Sequence, residues 1–224
     1  MKLSEVQYQP WSTLVANFYI CKSCSIVDTD SGRQRVGSPC KNCGASSPGG
    51  SLYFGLNAYV LVNSIQDFYF LRNAQPTVTP QSITDPIYSN ETDTRVVIPL
   101  LFCTLWDVLT TDLCRNIMNA KNIDEPLQTQ LLSDYRFSSQ KRDKLFPALT
   151  GETWKKALAG ITKGGGIKYG DLFKFFLEIN AKRNAFVHEG YYWHFKDEEL
   201  ERIPEELKPT FNLFSELHNR WIVR

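Results

Sequence analysis

The sequence predicts a mainly α-helical bundle preceded by a small β module, on three observations. Apolar residues recur at helical spacing through several long stretches after residue 51. The first 50 residues lack such stretches and are rich in Ser, Gly and Pro. That same segment carries two Cys-x2-Cys pairs, which bring a second kind of structural glue to a region with little core of its own. The predicted division is therefore a module over 1–50 and a helical domain over 51–224.

The module is built on Cys21-Lys22-Ser23-Cys24 and Cys40-Lys41-Asn42-Cys43, a C-x2-C-x15-C-x2-C array. A two-residue gap lets both sulfurs of one turn reach a single ion at about 2.3 Å, and Gly44 suits the turn after the second pair. The spacing points to one Zn²⁺ held by Cys21, Cys24, Cys40 and Cys43. Four thiolates leave no open coordination position, so such a metal braces the fold and does no chemistry. The pattern resembles a zinc ribbon, with Phe18-Tyr19-Ile20, Ile26-Val27 and Arg35-Val36 as its strands. Lys22, Arg33, Arg35 and Lys41 offer it contacts to nucleic acid, but a Zn(Cys)4 centre carries a charge of −2 that offsets them. A brace or a protein-docking module fits the composition equally well.

Ser46-Ser47-Pro48-Gly49-Gly50 reads as a linker. A first helix runs from Leu56 to about Ala74, with Leu56, Tyr59, Val60, Asn63, Asp67, Phe70 and Leu71 on or beside one face. Residues 75–94, with three prolines, read as a long loop. The most apolar helix follows from Val96 to about Ala120, with Pro99 in its first turn, where a missing N–H does no harm. It belongs at the centre. Asp107 within it needs a partner, and Arg183 is the first candidate. Cys103 and Cys114 read as buried free thiols. A short helix from Glu125 to about Tyr135 opens on Pro126; Lys141, Arg142 and Lys144 mark a polar, basic connection. Another helix covers Thr153–Ile161, and Gly164-Gly165-Gly166 is a joint, because it lacks the Gly-Lys-Ser/Thr ending of a phosphate-binding loop. A closing helix spans about Glu205 to Trp221.

The helix from Tyr169 to Glu189 carries the residues of greatest chemical interest. Leu172, Phe175, Phe176, Ile179 and Phe186 form its apolar stripe, and Gly190 stops it. Arg183 falls in the middle of that stripe, where an unpaired guanidinium is costly unless it meets a carboxylate or faces an opening that admits an anion. Asn184 and His188, one turn apart, share one flank. The run Arg183-Asn184-x-x-x-His188 at a helix end resembles the Arg-x4-His signature of the HEPN superfamily, helical domains prominent among RNA-cleaving toxins and defence effectors of prokaryotes. The resemblance covers roughly Leu52 to the C-terminus.

That resemblance implies a HEPN-like helical domain and metal-independent RNA cleavage, in which the 2′-OH attacks the adjacent phosphate to leave a 2′,3′-cyclic phosphate. His188 suits proton transfer, Arg183 suits the phosphoryl oxygens, and Asn184 would orient His188 or hold the phosphate. One His per motif implies a homodimer with Arg183, Asn184 and His188 of both copies lining its seam; His194 is an alternative second imidazole. Family members that carry a Tyr two residues after the His are matched here by Gly190 instead, so Tyr191 is not assigned that role. An antitoxin or defence-system protein would be the further partner. Two other readings use the same residues: a catalytically silent HEPN module binding nucleotide or RNA, and a zinc-braced protein-interaction module in which Arg183 and His188 are structural.

Charge adds a local signal to a formal net of +1. Residues 151–196 hold eight Lys or Arg against four acids, whereas 197–207 hold six acids and one Arg. The basic stretch beside the motif suits a phosphate backbone. The start of the chain lacks a secretory pattern, and no stretch of about 18 apolar residues runs without polar interruption, so a cytoplasmic protein with no membrane partner is expected.

Overall fold

The computed structural model describes residues 14, 18–28, 39–40, 42–45, 51–74, 90–165, 169–190 and 195–222. The mainly α architecture is as the sequence predicts. Three two-residue strands, β1 (Tyr19–Ile20), β2 (Val27–Asp28) and β3 (Ser51–Leu52), form an antiparallel sheet in the order β2-β1-β3. Tyr19 pairs with Asp28 on one side and Leu52 on the other. The sheet thus takes its third strand from just beyond residue 50, tying the module directly to the chain that enters the bundle. Arg33, Arg35-Val36, Lys41 and the linker 46–50 lie outside the described residues.

The helices are α1 (Leu56–Ala74), α2 (Asn90–Ala120), α3 (Glu125–Asp134), α4 (Ser138–Gln140), a π-helical turn (Lys141–Leu145), α5 (Phe146–Thr150), α6 (Trp154–Gly165), α7 (Tyr169–Glu189) and α8 (Asp197–Ile222). The bounds of α1 and α7 are those the apolar period predicts. Gly190 ends α7 at φ 76°, a left-handed conformation that glycine adopts freely, with its N–H on the Phe186 carbonyl at 2.8 Å.

α2 is the central element, and its Trp106 is fully buried. The indole stacks on Phe176 of α7 at 4.2 Å and 13°, and meets Phe214 of α8 edge-on at 5.4 Å. Aromatic pairs of this kind add about 0.5–1.5 kcal/mol each beyond burial of their area. Phe102 touches Phe175 and Phe176, while Trp106, one turn later, reaches back to Phe173, so α2 and α7 run antiparallel.

Four expectations need correction. α2 starts at Asn90, so residues 90–94 of the expected loop are helical and Pro99 lies in the helix interior; burial of Ile98, Phe102, Leu105 and Trp106 around it offsets the lost backbone bond. The rest of that loop, 75–89, is outside the described residues, as is Gly166. α8 starts at Asp197 rather than near Glu205, with Pro204 and Pro209 inside it. Its first turn is acidic, which suits the positive end of a helix dipole, and those acids meet cations from other helices.

The third correction concerns α1. Leu56, Val60 and Leu71 are at least half exposed, whereas Ala58, Val62 and Ile65 on the opposite side are fully buried. Both faces are apolar, and small Ala58 sits on the side that meets the core. The fourth is the basic connection after α3. It is helical, and Lys141 and Arg142 within its π turn are buried. Lys141 Nζ donates to Thr111 Oγ1 at 2.9 Å and to the Arg136 carbonyl at 3.2 Å. Arg142 lies over the rings of Phe173 and Phe176, with Nη1 donating to Ser138 Oγ at 2.7 Å. Cation–π contact and a hydrogen bond replace part of the lost hydration.

One helical stretch, Arg95–Ala120, is long and apolar enough to cross a membrane, and more than half of it is buried against the rest of the molecule.

Candidate functional site

The four module cysteines come together. Their sulfurs all lie within 4.8 Å of one another, with Cys21 to Cys43 and Cys24 to Cys40 at 3.8 Å. That is too long for a disulfide and matches the edge of about 3.8 Å of a tetrahedron with 2.3 Å metal–sulfur bonds. Both pairs sit on the same kind of turn. Ser25 N–H donates to the Cys21 carbonyl and Gly44 N–H to the Cys40 carbonyl, both at 2.8 Å. Ser25 and Gly44 hold φ of 57° and 70°, which closes each turn under its sulfurs.

The thiols are unequal without a cation. Backbone N–H groups of Cys24 and Ser23 bring Cys21 down to about 6, favouring the thiolate. At Cys43 the Ala45 N–H acts in the same direction, but desolvation and the three neighbouring sulfurs outweigh it and push that thiol up to about 11. Four thiolates so close repel one another, and a divalent cation removes that repulsion. The donor set therefore fits one four-coordinate metal ion with no position left for substrate.

This centre is fastened to α8. Asn219 accepts from Val27 N–H through Oδ1 at 2.7 Å and donates to the Val27 carbonyl through Nδ2 at 2.9 Å, acting as an extra strand residue beside β2. His218 Nε2 lies 3.0 Å from the Ser25 carbonyl, which fixes Nε2 as the protonated nitrogen. Burial holds this imidazole below its ordinary pKa, against a raising effect of the Ser25 carbonyl. Tyr53 packs edge-on to it at 4.5 Å, and Phe18, Phe54 and Phe211 complete the joint.

The second candidate site lies at the other end of α8, where α7 terminates. Arg183 and Asn184 are half-buried and His188 is exposed. Arg183 Nη1 donates to Asn184 Oδ1 at 3.0 Å, and its Nε is buried with no acceptor. Among the described residues, no carboxylate lies within 4.0 Å of this guanidinium, so the expected pairing with Asp107 is not formed. Asp107 acts instead on buried Arg142, whose charge burial disfavours and the carboxylates of Asp143 and Asp107 support. The register explains the difference. α2 and α7 are antiparallel, so the level of Asp107 on α2 faces the part of α7 around Phe173 and Phe176, and Arg183 falls toward the N-terminal half of α2.

The Cys103 thiol lies within the electrostatic reach of both groups. Burial pushes it up to about 12, Arg183 draws it down and Asp107 pushes it up. Cys114, also buried, is likewise pushed up to about 12. Both are the buried free thiols expected.

Asn184 thus engages Arg183 and not His188. Among the described residues His188 makes no hydrogen bond, and its ring stands at the exposed end of the helix one turn beyond Asn184. Tyr191 and His194 lie outside the described residues. Beside the motif, Lys182 Nζ pairs with Glu199 of α8 at 2.6 Å to Oε2, and Glu199 also accepts from Lys196 N–H. Arg142 had no signal in the sequence beyond the apolar Leu145 and Phe146 three and four residues on. Asp197 and Glu199 were visible only as the abrupt change from a basic to an acidic stretch. Among family models, curated proteins and solved structures, none matches this chain.

Proposed function

We propose that the chain is a HEPN-type, metal-independent endoribonuclease, active as a homodimer, with Zn²⁺ in the four-cysteine centre as a structural brace. The observation that carries this reading is Arg183: a half-buried guanidinium on the apolar stripe of α7, with no carboxylate within 4.0 Å among the described residues and a buried Nε without an acceptor. A buried donor without an acceptor is costly and a half-buried cation is open to an anion, so an RNA phosphate arriving at that guanidinium supplies both the acceptor and the missing charge.

His188 takes the 2′-OH proton as the 2′-oxygen attacks the neighbouring phosphorus. The P–O5′ bond breaks, the 5′-oxygen leaves with a proton from an acid, and a 2′,3′-cyclic phosphate remains. Arg183 stabilises the charge growing on the non-bridging oxygens. Asn184 fixes the guanidinium by accepting from Nη1, a role that differs from orienting His188. One imidazole cannot be base and acid in the same step, so the second copy supplies the other across a two-fold seam. An antitoxin or defence-system protein covering the motif would restrain the enzyme.

The test incubates labelled RNA with protein in EDTA, beside His188→Ala and Arg183→Ala. Cleavage by wild type alone, leaving cyclic phosphate ends, supports the reading. RNA binding without cleavage by wild type replaces it with a silent binding module, and neither binding nor cleavage leaves an interaction module. Light scattering that finds only monomer at micromolar concentration removes the two-fold mechanism.

A further inference from the structure

The end of the bundle that carries Arg183 holds a second cationic group that the cleavage step does not use. Arg72 of α1 and Arg95 of α2 both reach the same oxygen, Oδ1 of Asp197, at 2.7 and 2.8 Å. One carboxylate cannot neutralise two guanidiniums. Arg72 Nη1 is buried with no acceptor among the described residues, where Arg95 Nη1 makes only a long 3.5 Å contact to the Phe195 carbonyl. Lys182, next to Arg183 in α7, reaches Glu199, two residues from Asp197 on the same turn of α8. Cations from α1, α2 and α7 therefore converge on one helical turn beside the motif.

We infer that Arg72 and Arg95 form a subsite for an RNA backbone phosphodiester flanking the one held by Arg183, and that the Asp197 carboxylate occupies this subsite until RNA displaces it. This rests on the RNA-cleaving reading of the same end of the bundle. The Asp197 side chain is 56% exposed against 15% for Arg72 and 30% for Arg95, so the carboxylate can turn out into water while the two guanidiniums stay held by the bundle. A phosphodiester presents two charged oxygens to two guanidiniums, a geometry a single carboxylate oxygen does not match. Displacing Asp197 also releases an acid from the first turn of α8 into water, where it keeps its favourable position at the helix N-terminus.

The test measures binding of a short fluorescein-labelled single-stranded RNA by anisotropy, using full-length protein carrying His188→Ala so that the RNA stays intact. Arg95→Gln weakens binding roughly three- to tenfold and lowers the slope of log affinity against log salt by about 0.7, one phosphate contact on a single strand. Asp197→Asn tightens binding, and by more than Glu198→Gln, the exposed acid beside it. Were the arginines and Asp197 only a brace for α8, Arg95→Gln and Asp197→Asn would move binding and melting temperature in the same direction; that result overturns the subsite. So does equal tightening by Glu198→Gln. Should Arg95→Gln fail to fold, the comparison of Asp197→Asn with Glu198→Gln decides alone. Absence of RNA binding in the parent protein overturns the subsite and the cleavage reading together, whereas binding with the wrong order of variants overturns the subsite only.

Discussion

The two ends of α8 are built on opposite principles. At His218 and Asn219 the polar groups that face the cysteine centre are matched to backbone partners, and the surrounding rings close the joint. About 28 Å away along the helix, by its rise over nineteen residues, Asp197 and Glu199 lie among cations that outnumber them, and Arg183 and Arg72 keep buried N–H groups with no acceptor. Buried polar groups in folded proteins are nearly always satisfied. His218 Nδ1 is buried without a partner among the described residues as well, so the difference between the ends is one of charge. The orphaned atoms at the Asp197 end belong to guanidiniums, the one beside the cysteine centre to an imidazole whose charged form burial disfavours. On the reading proposed above it is the cationic end that takes an outside anion.

The largest expected effect tests the first half of this contrast. Cys40→Ser is expected to abolish metal binding by the four-cysteine centre and to melt the β1–β3 sheet, seen as lost protection from hydrogen exchange in residues 18–28, and a chelator strong enough to empty the centre is expected to do the same. Alkylation followed by mass spectrometry then labels Cys21, Cys24, Cys40 and Cys43, while Cys103 and Cys114, buried and held near 12, stay unmodified until the bundle unfolds. Labelling of Cys103 in the native protein would contradict the closed core.

At the other end, His188→Ala is expected to lower the cleavage rate about 10²- to 10⁴-fold with no change in melting temperature, because the imidazole has no hydrogen-bond partner among the described residues. A drop in melting temperature matching the loss of activity would make His188 structural and erase the contrast. Asn219→Ala should do the reverse. It removes two bonds to Val27 and destabilises by about 1–3 kcal/mol, measured by denaturant unfolding, with the cleavage rate per folded molecule unchanged.

The smallest effect is one of pH. His218 has its pKa lowered by burial, so the unfolded state binds a proton more readily than the folded one. Its contribution is fully present above the ordinary value of 6.5 and is lost as pH falls through the lowered one. Stability should fall on acidification below about 6.5, and less so in His218→Asn; equal acid sensitivity of the two proteins would locate the effect elsewhere.

Much of this molecule is legible in its sequence, for reasons that are local. A two-residue gap between cysteines shapes a turn whatever surrounds it, and the sulfurs of Cys21, Cys24, Cys40 and Cys43 meet as their spacing requires. Apolar period and a stop glycine set α7 at Tyr169–Glu189 with no help from neighbours. What only the tertiary structure decided are questions that involve a second element. Which face of α1 meets the core could not be read from its sequence, because both its sides are apolar; the side of Ala58, Val62 and Ile65 is the one fully buried. Asp107 does not pair with Arg183, and its charge supports Arg142 instead; the antiparallel register of α2 on α7, seen in Trp106 on Phe173 and Phe176, appears in no single segment. α8 begins at Asp197, eight residues before the expected start near Glu205, where Leu200 and Ile203 pack into the core and Arg72, Arg95 and Lys182, distant in sequence, meet its acids. Periodicity tells a helix where to turn, but charge and packing partners come from elsewhere in the chain, and those contacts set which groups are satisfied and which remain open.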